Sequence, residues 1–112
     1  MGDSDGPGRV LIVLTTVAGE DAAVTLANAL VERRLVACVN VLPGVRSIYR
    51  WQGAIQDDRE LLLLAKTTSG RLADVTAALT ELHPYDVPEI VALEAASVAP
   101  AYAAWLRDCV GA

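Results

Sequence analysis

The chain has 112 residues, 54% of them hydrophobic, and a formal net charge of −5 at pH 7. That length makes one domain with a single core. The acidic balance, with basic residues scattered rather than clustered, excludes a nucleic-acid partner. No apolar run reaches the roughly 18 residues of a membrane span, so no membrane partner is expected. The start, MGDSDGPG, lacks the positive charge and apolar stretch of a signal peptide. A cytoplasmic protein is therefore expected. Two cysteines without a CxxC motif predict reduced thiols. The apolar excess is Ala, Leu and Val, with no Phe. In so small a chain it predicts surface hidden between subunits.

Residues 1–9 read as a flexible N-terminal tail, and 10–112 as the single domain. Val10–Val17 is continuously apolar and β-branched, the pattern of a central strand. Gly19–Arg34 reads as a helix, with Ala23, Leu26, Ala27 and Leu30 on one face. Glu20 and Asp21 suit its first turn and Arg33 and Arg34 its last. Ala37–Thr67 then forms a long hairpin turning at Gln52-Gly53. Its first arm is broken by Pro43-Gly44, which marks an edge strand or a bulge. Its second arm ends in Leu61–Ala65, with no polar alternation, and so is central. Ser69 is the expected N-cap of a second helix, with Leu72, Val75, Leu79 and Leu82 at helical spacing and Pro84 ending it. Glu89–Ser97 reads as a fourth strand. Pro100 opens a closing helix whose expected apolar face is Tyr102, Trp105, Leu106 and Cys109.

The order is βαββαβ plus a C-terminal helix. Two strand–helix–strand units joined by a hairpin give an α+β, ferredoxin-like plan, with the first and third strands central. Both main helices cover one face of the sheet. The other face, and the apolar edge at Ala37–Leu42, call for another subunit.

Chemistry is sparse. There is no nucleophile–base constellation, P-loop or GxGxxG, so a non-enzymatic protein is expected, without an organic cofactor. His83 ends a helix, where it either caps carbonyls or serves as a metal ligand. Cys38 is either a small buried residue or a soft-metal ligand. Glu60 and Lys66 share a strand face, roughly 20 Å apart at strand rise, and are not partners within one chain. With Tyr49, Trp51 and Tyr85 they mark a candidate pocket at a subunit junction, against the plainer reading of aromatic packing between subunits.

Leu35–Asn40, Pro43-Gly44 and Ser47–Gly53 resemble the central signature of the CutA divalent-cation tolerance proteins. Glu60 and Lys66-Thr67 stand where that family has them. His83–Ile90 resembles its second signature, and Tyr102 with Trp105 its closing helix. The resemblance runs from Val10 to about Leu106. It implies a cytoplasmic or organellar homotrimer of ferredoxin-like subunits, linked to tolerance of copper and other divalent cations. Copper binding is reported for the family, and animal members are connected with anchoring of a membrane cholinesterase. Some bacterial relatives carry a cysteine near the end of the first strand and two adjacent histidines, proposed as copper ligands. Here those positions are Thr15 and Leu82-His83, which leaves His83 of the three.

Two functions follow. One is a trimeric, non-enzymatic metal-response protein that binds copper (Cu2+ or Cu+) or another divalent ion, with His83, Cys38 and Glu89 as candidate ligands. The other follows the family's similarity to the PII signalling trimers. It is a small-molecule sensor or adaptor, with Lys66, Tyr49 and Trp51 contacting an anion or metabolite in a cleft and an unidentified protein partner reading the result.

Overall fold

Residues 8–111 are described by the structure, a computed structural model. They form β1 (Val10–Val17), α1 (Glu20–Glu32), β2 (Cys38–Trp51), β3 (Ala54–Thr68), a 3-10 turn (Ser69–Arg71), α2 (Leu72–Leu82), β4 (Val91–Glu94) and α3 (Pro100–Val110). Of the expected N-terminal tail, residues 1–7 lie outside the described residues, as does Ala112. Gly8 is held by Arg107, whose Nε donates to its carbonyl at 2.8 Å. The Arg9 carbonyl accepts the Ser69 N–H at 2.8 Å.

The sheet order is β2-β3-β1-β4, and every neighbouring pair is antiparallel. The two continuously apolar strands are central and the interrupted ones lie at the edges, as their patterns required. The long hairpin turns through Gln52 and Gly53, both at positive φ (49° and 80°). That pair of angles matches the right-handed twist of the flanking strands. At Pro43-Gly44 the β2–β3 register shifts between Leu42 and Val45, a bulge that absorbs the proline's missing N–H. The two long arms stretch the molecule to 46 × 25 × 23 Å.

One sheet face carries the main core. Val13 and Val17 of β1 and Leu63 and Ala65 of β3 meet Ala23, Leu26 and Leu30 of α1 and Val75, Ala78 and Leu79 of α2. Each leucine buried there contributes about 1.5–3 kcal/mol relative to exposure. A second cluster joins Val10 to Ala103 and Leu106 of α3.

The strand registers fix what lies on the opposite face. Cys38, Lys66, Ile12 and Leu93 stand side by side across the four strands. Asn40, Leu64, Leu14 and Val91 form the next row, and Leu42, Leu62 and Thr16 the third. Leu42, Val91 and Leu93 are 41%, 45% and 50% exposed, so this face is apolar and open.

Four local expectations are corrected. The fourth strand is Val91–Glu94, not Glu89–Ser97: the preceding link is anchored at the end of β1 and pairs only from Val91 onward. α1 ends at Glu32, so Arg33 is its cap and Arg34, at φ 57°, lies beyond it. Ser69 opens the 3-10 turn, and α2 is preceded by Arg71 without a side-chain cap. The buried face of α3 is Ala103, Leu106 and Val110, whereas Tyr102 and Trp105 are exposed. The small residues let α3 approach the sheet; the large aromatics are left at its side, their rings tilted at 40° with centroids 5.4 Å apart.

Candidate functional site

The site is built on the link between α2 and β4, where Pro84 and Pro88 bracket Tyr85, Asp86 and Val87. Proline lacks an N–H and cannot continue a helix, so the chain leaves α2 at His83, whose backbone is already extended. His83 is 7% exposed and caps the helix with its own N–H, bonded to the Leu79 carbonyl. Its Nδ1 accepts the Tyr85 backbone N–H at 3.1 Å. An accepting Nδ1 is unprotonated, so Nε2 carries the ring proton and donates to the Thr16 carbonyl at 2.9 Å. Both ring nitrogens are thus engaged within the chain.

This pins Tyr85, whose ring lies 4.6 Å from the imidazole. The Tyr85 hydroxyl accepts the Ala18 N–H at 2.8 Å and donates to Glu60 Oε2 at 2.6 Å. Burial, then the Glu60 carboxylate, push that hydroxyl up to about 12. Glu60 itself is 7% exposed. Further along the hairpin, the Tyr49 hydroxyl donates to Asp58 Oδ2 at 2.5 Å, which also raises its pKa. Around these groups lies an open groove of about 940 Å³, with Trp51 and Glu89 also in its wall.

Within one chain the structure places Tyr49, Trp51, Glu60, Tyr85 and Glu89 around one groove. Lys66 is not with them. It stands four positions from Leu62 on β3, roughly 13 Å along the strand from the Thr16 row, in the row of Cys38 and Ile12. Its Nζ sits 5.6 Å from the centroid of the Tyr102 ring. Cys38 is likewise at that far end, so His83, Cys38 and Glu89 do not converge within one chain. Among the described residues no three His, Cys, Asp or Glu side chains come close enough to hold a metal ion. A copper site complete in a single chain does not fit this donor set.

The lining groups that the sequence did not point to include Asp58, the Ala18 backbone, Arg59 and Asp86. Strand alternation was the signal for the first: Asp58 and Glu60 are two residues apart, as Tyr49 and Trp51 are. Nothing in the sequence marks Ala18, because its role belongs to its N–H.

A four-stranded split βαβ sheet with an open apolar face, and a carboxylate–aromatic groove at the foot of its hairpin, define a ferredoxin-like protein with a ligand-sized site. The CutA1 divalent ion tolerance protein family matches residues 11–109. The chain belongs to that family. It is 53% identical over 100 residues to the divalent-cation tolerance protein CutA of Thermus thermophilus, covering 89% of this chain and 97% of that one. It is 40% identical over 98 residues to the chloroplastic CutA protein of Arabidopsis thaliana, covering 88% of this chain but 54% of that longer protein. The solved Thermus thermophilus structure superposes with a TM-score of 0.88 at 52% identity, over 91% of this chain and 99% of that one. The Archaeoglobus fulgidus structure, described as a periplasmic divalent cation tolerance protein, superposes at 0.87 with 28% identity, over 90% and 98% of the two chains.

Proposed function

We propose that the chain is a non-enzymatic divalent-cation tolerance protein that works as a homotrimer and takes up copper or another divalent ion where its copies meet. The match to the family over residues 11–109 carries this reading. The open apolar face supports self-association, since exposed patches of that kind are covered in stable assemblies. Metal uptake between copies suits a chain whose candidate ligands lie apart: His83 and Glu89 at one end of the sheet, Cys38 at the other. Imidazole and carboxylate suit Cu2+, and thiolate suits Cu+. For His83 to ligate through Nδ1, the Tyr85 N–H must first let go of it. No helix among the described residues is long and apolar enough to cross a membrane. The two free cysteines favour a reducing compartment, the cytoplasm.

The test is a copper titration of the metal-free protein, of checked oligomeric state, with and without reductant. His83→Ala, Glu89→Gln and Cys38→Ser are titrated alongside. Saturable binding in fixed ratio to the subunit, weakened in His83→Ala, is the expected result. Binding that none of the three changes would remove the ligand assignment.

The groove favours a second reading, a sensor whose bound small molecule is reported to a protein partner. The observation behind it is the convergence of Tyr49, Trp51, Glu60 and Tyr85 on one cleft. Within one chain Lys66 lies at the other end of the sheet, so in this reading it reaches the cleft from a neighbouring copy.

A further inference from the structure

Glu60 is a buried carboxylate whose hydrogen-bonding partner is a hydroxyl. Tyr85 satisfies Oε2 with one bond and brings no positive charge. The ion pairs of the described residues lie elsewhere; Arg46 with Asp57 sits on the alternate face of the hairpin. The sequence's one lysine, Lys66, is at the far end of the sheet. Buried charges are ordinarily paired, and this carboxylate, 7% exposed and beside a groove, has no cation from its own chain among the described residues.

The rest of the groove says what would complete it. Asp58, Asp86 and Glu89 line it with Glu60, against Arg59 alone. Two of these carboxylates already accept from phenols, Asp58 from Tyr49 and Glu60 from Tyr85. An anion is therefore disfavoured. A bare metal ion needs several donors converging at one point, and these carboxylates do not converge. Trp51 and Tyr49, 45% and 42% exposed in the single chain, offer rings to a larger cation. Ring faces attract ammonium groups and pack against the carbons that carry them.

We propose that this groove binds a small organic cation bearing a primary ammonium, with Glu60 as its charge partner and Trp51 and Tyr49 as its aromatic wall. A primary ammonium supplies N–H donors that a carboxylate can accept; a quaternary one supplies none. The proposal rests on the reading of the groove as a ligand site and names the class of ligand that site takes.

The experiment is calorimetric titration of the assembled protein at constant ionic strength with putrescine, tetramethylammonium and succinate. Glu60→Gln and Trp51→Leu are titrated in parallel, after circular dichroism and light scattering confirm fold and assembly. Saturable putrescine binding, weakened roughly tenfold or more in Glu60→Gln and also reduced in Trp51→Leu, is expected from the loss of a charge-assisted hydrogen bond. Trp51 is exposed, so its variant tests the site even where Glu60→Gln disturbs folding. Tetramethylammonium binding as tightly as putrescine, or putrescine binding indifferent to both substitutions, would overturn the proposal. Succinate binding without putrescine binding would overturn the ligand class while sparing the groove as a site. Silence from all three would count against the class and against the sensor reading together.

Discussion

The Tyr85 hydroxyl bridges the Ala18 N–H and Glu60 Oε2, at 2.8 and 2.6 Å, and so ties the α2–β4 link to the end of β1 and the middle of β3. One phenol thereby holds the position of a buried carboxylate and the entry of the groove. Its ionisation should be visible in the stability of the whole protein. An unfolded tyrosine loses its proton near 10, whereas Tyr85 in the fold holds it to about 12. Between those values the unfolded state binds fewer protons, so stability falls as pH rises. The contribution is complete below about pH 10 and is lost as pH climbs through about 12. Tyr49, raised by its bond to Asp58, acts with the same sign. Denaturant unfolding from pH 9 to 12 should therefore show an alkaline decline that is shallower in Tyr85→Phe and shallower again when Tyr49→Phe is added. An equal slope in all three proteins would refute the assignment.

His83 makes a second, independent claim. Its ring must be the Nε2–H tautomer, because Nδ1 accepts the Tyr85 N–H. Nitrogen chemical shifts of the labelled imidazole should report that tautomer in the metal-free protein. Replacement by Ala leaves the Thr16 carbonyl and the Tyr85 N–H without their partner. A cost of about 1–3 kcal/mol follows for each group that water cannot reach. Unfolding experiments should show that loss, and the Trp51 fluorescence should change as the link loosens. An Nδ1–H tautomer would mean that the Tyr85 backbone is held by something else.

Gly53 tests the hairpin. At φ 80° it occupies the left-handed region, and no atom lies within 4 Å of where its Cβ would be. The penalty for Gly53→Ala is therefore backbone strain alone, about 1–2 kcal/mol. Equilibrium unfolding should return that figure, with no change in assembly. A neutral substitution would indicate that the turn relaxes to another type.

The parts of this fold that were legible in the sequence rest on periodicity and backbone chemistry. Val10–Val17 and Leu61–Ala65 lack polar alternation, so both their faces had to be covered. Pro43 cannot donate to a ladder, and Gln52-Gly53 is a turn that two extended arms require. What was not legible depends on volume and distance. Tyr102 and Trp105 dominate α3 by size, yet the helix packs through Ala103, because a small residue allows close approach. The end of α1 was read from the charge of Arg33 and Arg34, which describes a helix end no better than within two residues. In the site, alternation places Glu60 and Lys66 on one strand face, and the rise of β3 separates them within one chain, as the structure has them. The contacts of His83 and Tyr85 with Thr16 and Ala18 each span 67 positions and end on backbone atoms, which carry no residue-type signal.

The open sheet face supplies the last prediction. Ile12, Leu14, Leu62 and Leu64 lie at its centre, with Leu93 at the β4 edge, half exposed. Within one chain Leu93 has little to lose by becoming polar, since surface substitutions generally change stability by less than about 0.5 kcal/mol. In an assembly that covers this face, Leu93→Glu would bury an unpaired carboxylate against leucines, and the contact would fail. Light scattering should therefore give a smaller species for Leu93→Glu than for the parent, with circular dichroism unchanged. A parent that is already monomeric would show that copies do not assemble, and an oligomeric variant of unchanged mass would show that they meet through some other surface. The apolar residues of the hairpin, Ile48 and Ile55, 66% and 70% exposed, would then be the surface to test in the same way.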